Sequence, residues 1–142
     1  MASSSEFYLQ PTPEVRVSLS TDVVLPTPWD RERYVGALAT IGEGKVSGPW
    51  TSDTNHAISV WMPWKIAFVT GGNHSIATGI LLGEGELLAD EVFDMTPIFE
   101  RVTCDGNEYR SVQTGEPIVK VIDHRRAAVF EIGRLIVDAA RM

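Results

Sequence analysis

The clearest structural signal in the sequence is the stretch Phe68-Val-Thr-Gly-Gly-Asn-His-Ser-Ile-Ala-Thr-Gly-Ile-Leu81. An apolar strand leads into two glycines, small polar residues follow, and an apolar run of helical type comes after them. Glycine permits tight turns and lets a ligand approach the backbone closely, and the amides at the start of a helix can bind an anion. The stretch therefore predicts a strand, a turn and a helix, with a candidate anion site at residues 71–75.

The composition is ordinary for a soluble globular protein: 142 residues, of which 44% are hydrophobic and 22% charged. A chain of this size can bury a core without a disulfide or a metal ion. We expect residues 1–13, with their serines and prolines, to be a flexible lead-in, and residues 14–142 to be a single α+β domain. About three helices are expected, with a mixed, largely antiparallel sheet.

Cys104 is the only cysteine, so an intrachain disulfide is excluded and a reducing compartment fits. The first residues have neither the basic nor the apolar part of a secretory signal, and no apolar run is long enough for a membrane helix. We therefore expect a cytoplasmic protein without a membrane partner.

The formal net charge is −7, which gives no basic footprint for nonspecific binding of nucleic acid. Acidic residues are concentrated between Glu84 and Glu108, where Arg101 is the only base. This acidic stretch is either a solvated face or a docking surface for a basic protein partner. Its members are Glu84, Glu86, Asp90, Glu91, Asp94, Glu100, Asp105 and Glu108.

The first third of the chain predicts two short strands and a helix. Apolar residues alternate through 14–20, which is typical of a half-buried strand, and residues 23–25 extend the sheet. Thr27 is the predicted capping residue of a helix that runs to Ile41, because Asp30 follows it at the spacing of a capping box.

The central part predicts two strands, residues 56–62 and 64–70, before the helix 74–82. The second strand is apolar enough for a central position in the sheet, covered on both faces. Glycines 83 and 85 end the helix.

The last third predicts strands at 99–104, 109–112 and 118–122, with an Asp105-Gly106 turn between the first two. Asp123 can cap a final helix. This helix has an apolar stripe of the kind that faces a core. The stripe consists of Ala128, Ile132, Leu135, Ile136 and Ala139.

The candidate binding residues lie in and near the glycine turn. Asn73 or Ser75 would cap the helix, and His74 would lie beside its amides as a neutral imidazole that can both donate and accept a hydrogen bond. The alternative is a tight turn in which Asn73 and Ser75 only satisfy backbone donors. The spacing of Gly71 and Gly72 fits neither a Walker loop nor a Rossmann fingerprint.

Arg31 and Arg33 are the close pair of arginines upstream of the turn, next to Trp29. If their helix packs near residue 72, one of them could provide a bidentate donor to an anionic ligand. The alternative is a solvated helix face. A similar choice applies to Trp50, Trp61 and Trp64, which either pack in the sheet or stack on a ligand or partner.

Metal binding is not indicated, because His56, His74 and His124 are far apart and Cys104 is solitary. Cys104 also has no neighbouring base in the sequence that would make it a nucleophile. No catalytic residue and no cofactor can be assigned from these patterns.

Residues 23–85 resemble the N-terminal domain shared by ParB-type partition proteins and sulfiredoxin. Leu25-Pro-Thr-Pro-Trp-Asp-Arg31 resembles the first motif of that family, and Ala37-Leu-Ala-Thr-Ile-Gly42 resembles its helix end. Val69-Thr-Gly-Gly-Asn-His74 resembles its phosphate-binding turn. The resemblance covers less than half of the chain.

The resemblance implies a ParB/sulfiredoxin-like fold that binds a nucleotide or another phosphate-bearing ligand. The positions carried over are Gly71, Gly72, Asn73, His74 and the upstream Arg31. Ser75 stands where the family usually has arginine, and this weighs against hydrolysis. The competing hypothesis is a non-enzymatic protein-binding module, such as a phage or mobile-element inhibitor of a host defence complex, which would use the acidic stretch.

Overall fold

The computed structural model describes residues 14–142 and the backbone of residues 8–9. The fold is α+β, as the sequence predicts. The chain divides into two compact units, Met1–Asp94 and Met95–Met142. Within the described residues there are four helices rather than about three, because the sequence did not predict the four-residue helix Thr96–Phe99.

The strands described in the first unit are β1 (Tyr8–Leu9), β2 (Arg16–Ser18), β3 (Val23–Leu25), β4 (Ala57–Met62), β5 (Ile66–Gly71), β6 (Glu86–Leu88) and β7 (Glu91–Asp94). Five of them form a mixed sheet with the strand order β1-β7-β4-β5-β3. The β4–β5 and β1–β7 pairs are antiparallel, whereas β3–β5 and β4–β7 are parallel. A separate antiparallel pair joins β2 to β6.

Strand β1 lies within the segment predicted to be a flexible lead-in, and it pairs with the last strand of the unit. The rest of that segment, residues 1–7 and 10–13, lies outside the described residues. The predicted strands that follow are confirmed. In β5, three consecutive residues, Ala67, Phe68 and Val69, are buried, as expected of a strand covered on both faces.

Two helices complete the first unit, α1 (Arg31–Thr40) and α2 (Asn73–Leu82), and they pack against each other. The predicted cap of α1 was wrong. Asp30 caps the helix, because its Oδ1 accepts a hydrogen bond from the Arg33 amide at 3.0 Å. The Thr27 amide instead donates to the side chain of Asn73.

The second unit contains a three-stranded antiparallel sheet, with its edge strands at residues 102–104 and 117–120, and two helices. Its elements are α3 (Thr96–Phe99), β8 (Val102–Cys104), β9 (Glu108–Ser111), β10 (Pro117–Lys120) and α4 (His124–Ala140). Phe99 belongs to α3 and not to the strand predicted at 99–104. Its ring packs 5.0 Å from that of Phe130, which also meets Tyr109 edge-on at 5.4 Å.

Helix α4 begins as predicted, since Asp123 accepts hydrogen bonds from the amides of Arg125 and Arg126. The face it buries is not the predicted one. The buried residues are Ala127, Phe130 and Gly133. All five residues of the predicted stripe are exposed, because Phe130 is the large aromatic side chain that fills the space over β8 and β9.

Candidate functional site

The glycine turn joins the end of β5 to the start of α2. Gly72 is the residue before the first helical turn and has a φ of 75°, a left-handed conformation that glycine adopts without strain. The first helical hydrogen bond runs from the Ile76 amide to the Gly72 carbonyl at 2.9 Å. No side chain in the described part of the chain caps the amides of this first turn, so the start of α2 differs from the capped starts of α1 and α4.

The side chains of Asn73 and His74 hold the segment that leads into α1. The Thr27 amide donates to Asn73 Oδ1 at 2.7 Å, and the Asp30 amide donates to His74 Nε2 at 3.0 Å. Asn73 thus satisfies a backbone donor, as expected for a tight turn without a ligand. The donor, however, lies 46 residues away in the sequence. Both side chains fix residues 27–30 beside the start of α2.

The hydrogen bond to His74 also determines its tautomer. Because Nε2 accepts a hydrogen bond from the Asp30 amide, it carries no proton of its own, and the proton of the imidazole lies on Nδ1. His74 is half-buried, and the ring of Trp29 meets it edge-on at 5.2 Å. The second nitrogen of His74 is therefore a hydrogen-bond donor.

Trp29 lies next to this histidine, and Arg33 lies next to Trp29. Trp29 is 68% exposed, and the Arg33 guanidinium lies 5.1 Å from the centre of its ring, within the range of a cation–π contact. The structure therefore groups Arg33 with His74 through Trp29. Trp29 was not predicted to be a site residue. Its position between two prolines and a pair of arginines could have indicated one.

Arg31 is exposed at the first position of α1, one residue after the Asp30 cap. Ser75 makes a different contact from the one predicted, because its carbonyl accepts a hydrogen bond from Trp50 Nε1 at 2.8 Å. Of the predicted residues, Asn73, His74 and Arg33 are thus connected through residues 27–30.

Close packing of the turn accounts for both glycines. A Cβ atom on Gly71 would lie 2.7 Å from the Asn55 carbonyl oxygen, and one on Gly72 would collide with the ring of His56. The space in front of the two glycines is therefore filled by residues 55 and 56. A ligand at this site must approach the helix amides rather than the glycine Cα atoms.

His56 is buried beneath the turn. Its Nδ1 accepts a hydrogen bond from the Asp53 amide at 2.9 Å, and its ring stacks on that of Trp50 at a centroid distance of 4.8 Å. Burial lowers the pKa of His56 below its usual value, partly opposed by the charge of Asp53. These contacts make His56 a neutral packing residue that supports the glycine turn.

The sequence profile of a family of unknown function, DUF6710, matches residues 2–141. The chain belongs to this family. No match was found among curated proteins or among solved structures.

Most of the acidic stretch has internal partners. Glu84 accepts hydrogen bonds from the amides of Trp50 and Glu43, and Asp90 accepts one from the Ile58 amide at 2.7 Å. The other paired acids are Glu86 with Arg16, Glu100 with Arg141, and Asp105 and Glu108 with Arg110. These contacts use the carboxylates to hold loops and strands, and docking of a basic partner on them stays a prediction.

A shallow groove of about 330 Å³ lies in the second unit, with Cys104 and Ala127 among its lining residues. Glu131, at its edge, accepts a hydrogen bond from the Cys104 amide and pairs with Arg134, which lowers the pKa of the Glu131 carboxyl. Across residues 14–142, the structure brings together no group of three His, Cys, Asp or Glu side chains able to hold a metal ion. The same residues include no helix long and apolar enough to cross a membrane.

Proposed function

We propose that this protein binds an anionic, phosphate-bearing ligand, such as a nucleotide, at the start of α2. The observation that carries the proposal is the uncapped first turn of that helix. Gly72 has no side chain that could accept from the amides of residues 73–75. Those amides carry the positive end of the helix dipole, roughly half an elementary charge, which favours an anion.

The side chains around the turn add hydrogen-bond donors to those amides. His74 presents Nδ1–H, because its other nitrogen is used by the Asp30 amide. Arg33 is held over the Trp29 ring, which itself meets His74 edge-on, and Arg31 is exposed on the same helix. An arginine can donate two parallel hydrogen bonds to a phosphate, so these groups form a cationic rim for the site.

The resemblance of Val69–His74 to the phosphate-binding turn of ParB-type and sulfiredoxin domains supports the same ligand class. We assign binding and no reaction. His74 is neutral and already accepts one hydrogen bond, Cys104 lies in the other unit, and Ser75 replaces the arginine that the resemblance would require for hydrolysis. Binding of a ligand by the helix amides, His74 and Arg33 does not require that any of these side chains takes part in a reaction.

The test is an NMR titration of the ¹⁵N-labelled protein with inorganic phosphate, ADP and ATP, each with and without Mg²⁺. We expect the amide resonances of residues 73–75 to move in a saturable manner, together with the indole signal of Trp29. Arg33→Gln should weaken binding about 10- to 100-fold, the effect of losing a charged hydrogen bond of roughly 1.5–3 kcal/mol.

The matched control is Arg16→Gln, which removes an exposed arginine on β2 that pairs with Glu86. Its affinity for the same ligand should equal that of the unchanged protein. If the amides of residues 73–75 do not respond to any of these anions, the proposal is wrong and the hypothesis of a protein-binding module takes its place.

A further inference from the structure

His56 has one ring nitrogen that its packing role does not use. Its Nδ1 accepts the hydrogen bond from the Asp53 amide at 2.9 Å, so the proton of the imidazole lies on Nε2. Within residues 14–142, this Nε2–H donates to no backbone or side-chain group. The side chain is only 3% exposed. Buried polar groups in proteins are nearly always hydrogen-bonded, so this donor lacks the acceptor that its burial requires.

The edge of the ring that carries Nε2 faces the glycine turn. A Cβ atom on Gly72 would lie 2.4 Å from His56 Cδ2, the carbon bonded directly to Nε2. The flat side of the ring stacks on Trp50, whose indole donates to the Ser75 carbonyl at 2.8 Å. The imidazole is therefore fixed between Gly72 and Trp50, beside the first turn of α2, whose amides have no side-chain cap.

The Nε2 atom also remains within reach of a ligand. In the described part of the chain, no side-chain nitrogen or oxygen of a buried residue is sealed from solvent without a hydrogen-bond partner. Because Nε2 of His56 has no partner, it is not sealed, although the rest of the side chain is almost entirely covered. A hydrogen bond formed at such a site is electrostatically stronger than one in water, since the surrounding dielectric constant is low.

The charges near the ring are compatible with a neutral donor. Asp53 Oδ1 lies 3.5 Å from Nδ1, and this carboxylate is 59% exposed, so solvent screens its charge. Burial lowers the pKa of His56, partly opposed by the charge of Asp53. The imidazole thus keeps a single proton, on Nε2, at neutral pH.

We propose that His56 is a ligand-binding residue, whose Nε2–H donates to the anion at the start of α2. This role rests on the proposed function, because it requires the anion to be bound at residues 73–75. His56 directly precedes β4. The ligand is therefore held from two elements, by the amides of α2 and by the imidazole before β4.

Two substitutions separate the roles of the two ring nitrogens. Asparagine places its amide oxygen as many bonds from Cβ as Nδ1, so His56→Asn can still accept from the Asp53 amide but has no donor at the position of Nε2. Glutamine is one bond longer, so His56→Gln places an N–H donor at that position instead. The probes are inorganic phosphate and ADP, and the affinity is measured from the amide resonances of residues 73–75.

His56→Asn should weaken binding of the anion about 10- to 100-fold, the effect of losing a hydrogen bond to a charged group. His56→Gln should recover most of this loss. The matched control is His124→Asn, which changes an exposed histidine of the other unit and should bind like the unchanged protein. Circular dichroism and thermal melts show which variants are folded.

A second measurement uses the unchanged protein and so does not depend on a folded variant. A long-range ¹H–¹⁵N spectrum shows which ring nitrogen of each histidine carries the proton. In His56 this should be Nε2, and its proton should exchange more slowly with water and shift its resonance when the anion saturates the site. The ring signals of His124 should not change.

The role of His56 is wrong if the amides of residues 73–75 respond to the anion while the His56 Nε2 signal does not. It is also wrong if a folded His56→Asn variant binds with the original affinity. If neither phosphate nor ADP moves those amides, the proposed function fails and the role of His56 fails with it. The amides of α2 thus distinguish the two failures.

Discussion

Helices α2 and α4 differ in how the protein covers them. Helix α2 buries four consecutive residues, Ile76 to Gly79, and is bounded by glycines. Helix α4, with 17 residues, is capped by Asp123 and buries three residues spaced one turn apart. Residues 76–79 form one helical turn that is buried on all sides and tolerates little added volume, whereas a longer helix covered on one side depends on few large contacts. An apolar helical pattern therefore predicts a helix more reliably than it predicts the face that becomes buried.

The largest expected effect concerns the covered side of α4. Phe130→Ala removes the ring that packs on Phe99 and Tyr109, and should destabilise the second unit by about 3–5 kcal/mol. Hydrogen exchange of the α4 amides measures this loss locally. Ile122→Ala, at a site 93% exposed, should change the protection by less than about 0.5 kcal/mol. Equal effects of the two substitutions would contradict the assigned buried face.

The next effect concerns the enclosed helix α2. A Cβ atom on Gly79 would lie 2.6 Å from a methyl group of Leu19 and 2.8 Å from the Glu84 carbonyl oxygen, so Gly79→Ala should destabilise the first unit by about 1–3 kcal/mol. Tryptophan fluorescence in urea measures this change, because all four tryptophans lie in that unit.

The matched control is Gly36→Ala in α1, where nothing lies within 4 Å of the added atom. There the same substitution should stabilise the protein by up to about 1 kcal/mol, since alanine favours a helix more than glycine does. If both substitutions shift stability in the same direction, α2 is not as tightly enclosed as its contacts indicate.

The smallest effect concerns the pH dependence of the packing beneath α2. Burial lowers the pKa of His56 from its usual 6.5, so the unfolded chain binds a proton at a higher pH than the folded one. The free energy of unfolding should therefore be constant above pH 6.5 and fall as the pH decreases towards the folded pKa. Thermal melts across this range measure the slope.

His56→Phe provides the comparison for this slope. The ring can still stack on Trp50, but it cannot take up a proton. We expect the variant to be less stable at neutral pH, because the Asp53 amide loses its acceptor, and to have a flatter profile below pH 6.5. An unchanged slope would show that other groups cause the acid sensitivity.

The sequence predicted where the candidate site lies in the chain, but not which contacts its side chains make. The strand, the turn and the helix around Gly72 follow from local sequence. The contacts of Asn73 and His74 with the amides of residues 27 and 30 do not, because they depend on how α1 packs against α2. They hold residues 27 and 30 beside α2, and α1 begins only after Asp30, whose carboxylate accepts from the Arg33 amide in place of the predicted Thr27 cap.

The sequence by itself determined the α+β class, the limits of α2 and the cap of α4, because left-handed glycines and capping carboxylates act within a few residues of the chain. Only the tertiary structure decided which side of α4 is buried, and which partners the acidic residues find. Both depend on competition for space and hydrogen bonds between segments that are far apart in sequence. Phe130 occupies the space over its sheet, and the stripe from Ala128 to Ala139 therefore remains outside.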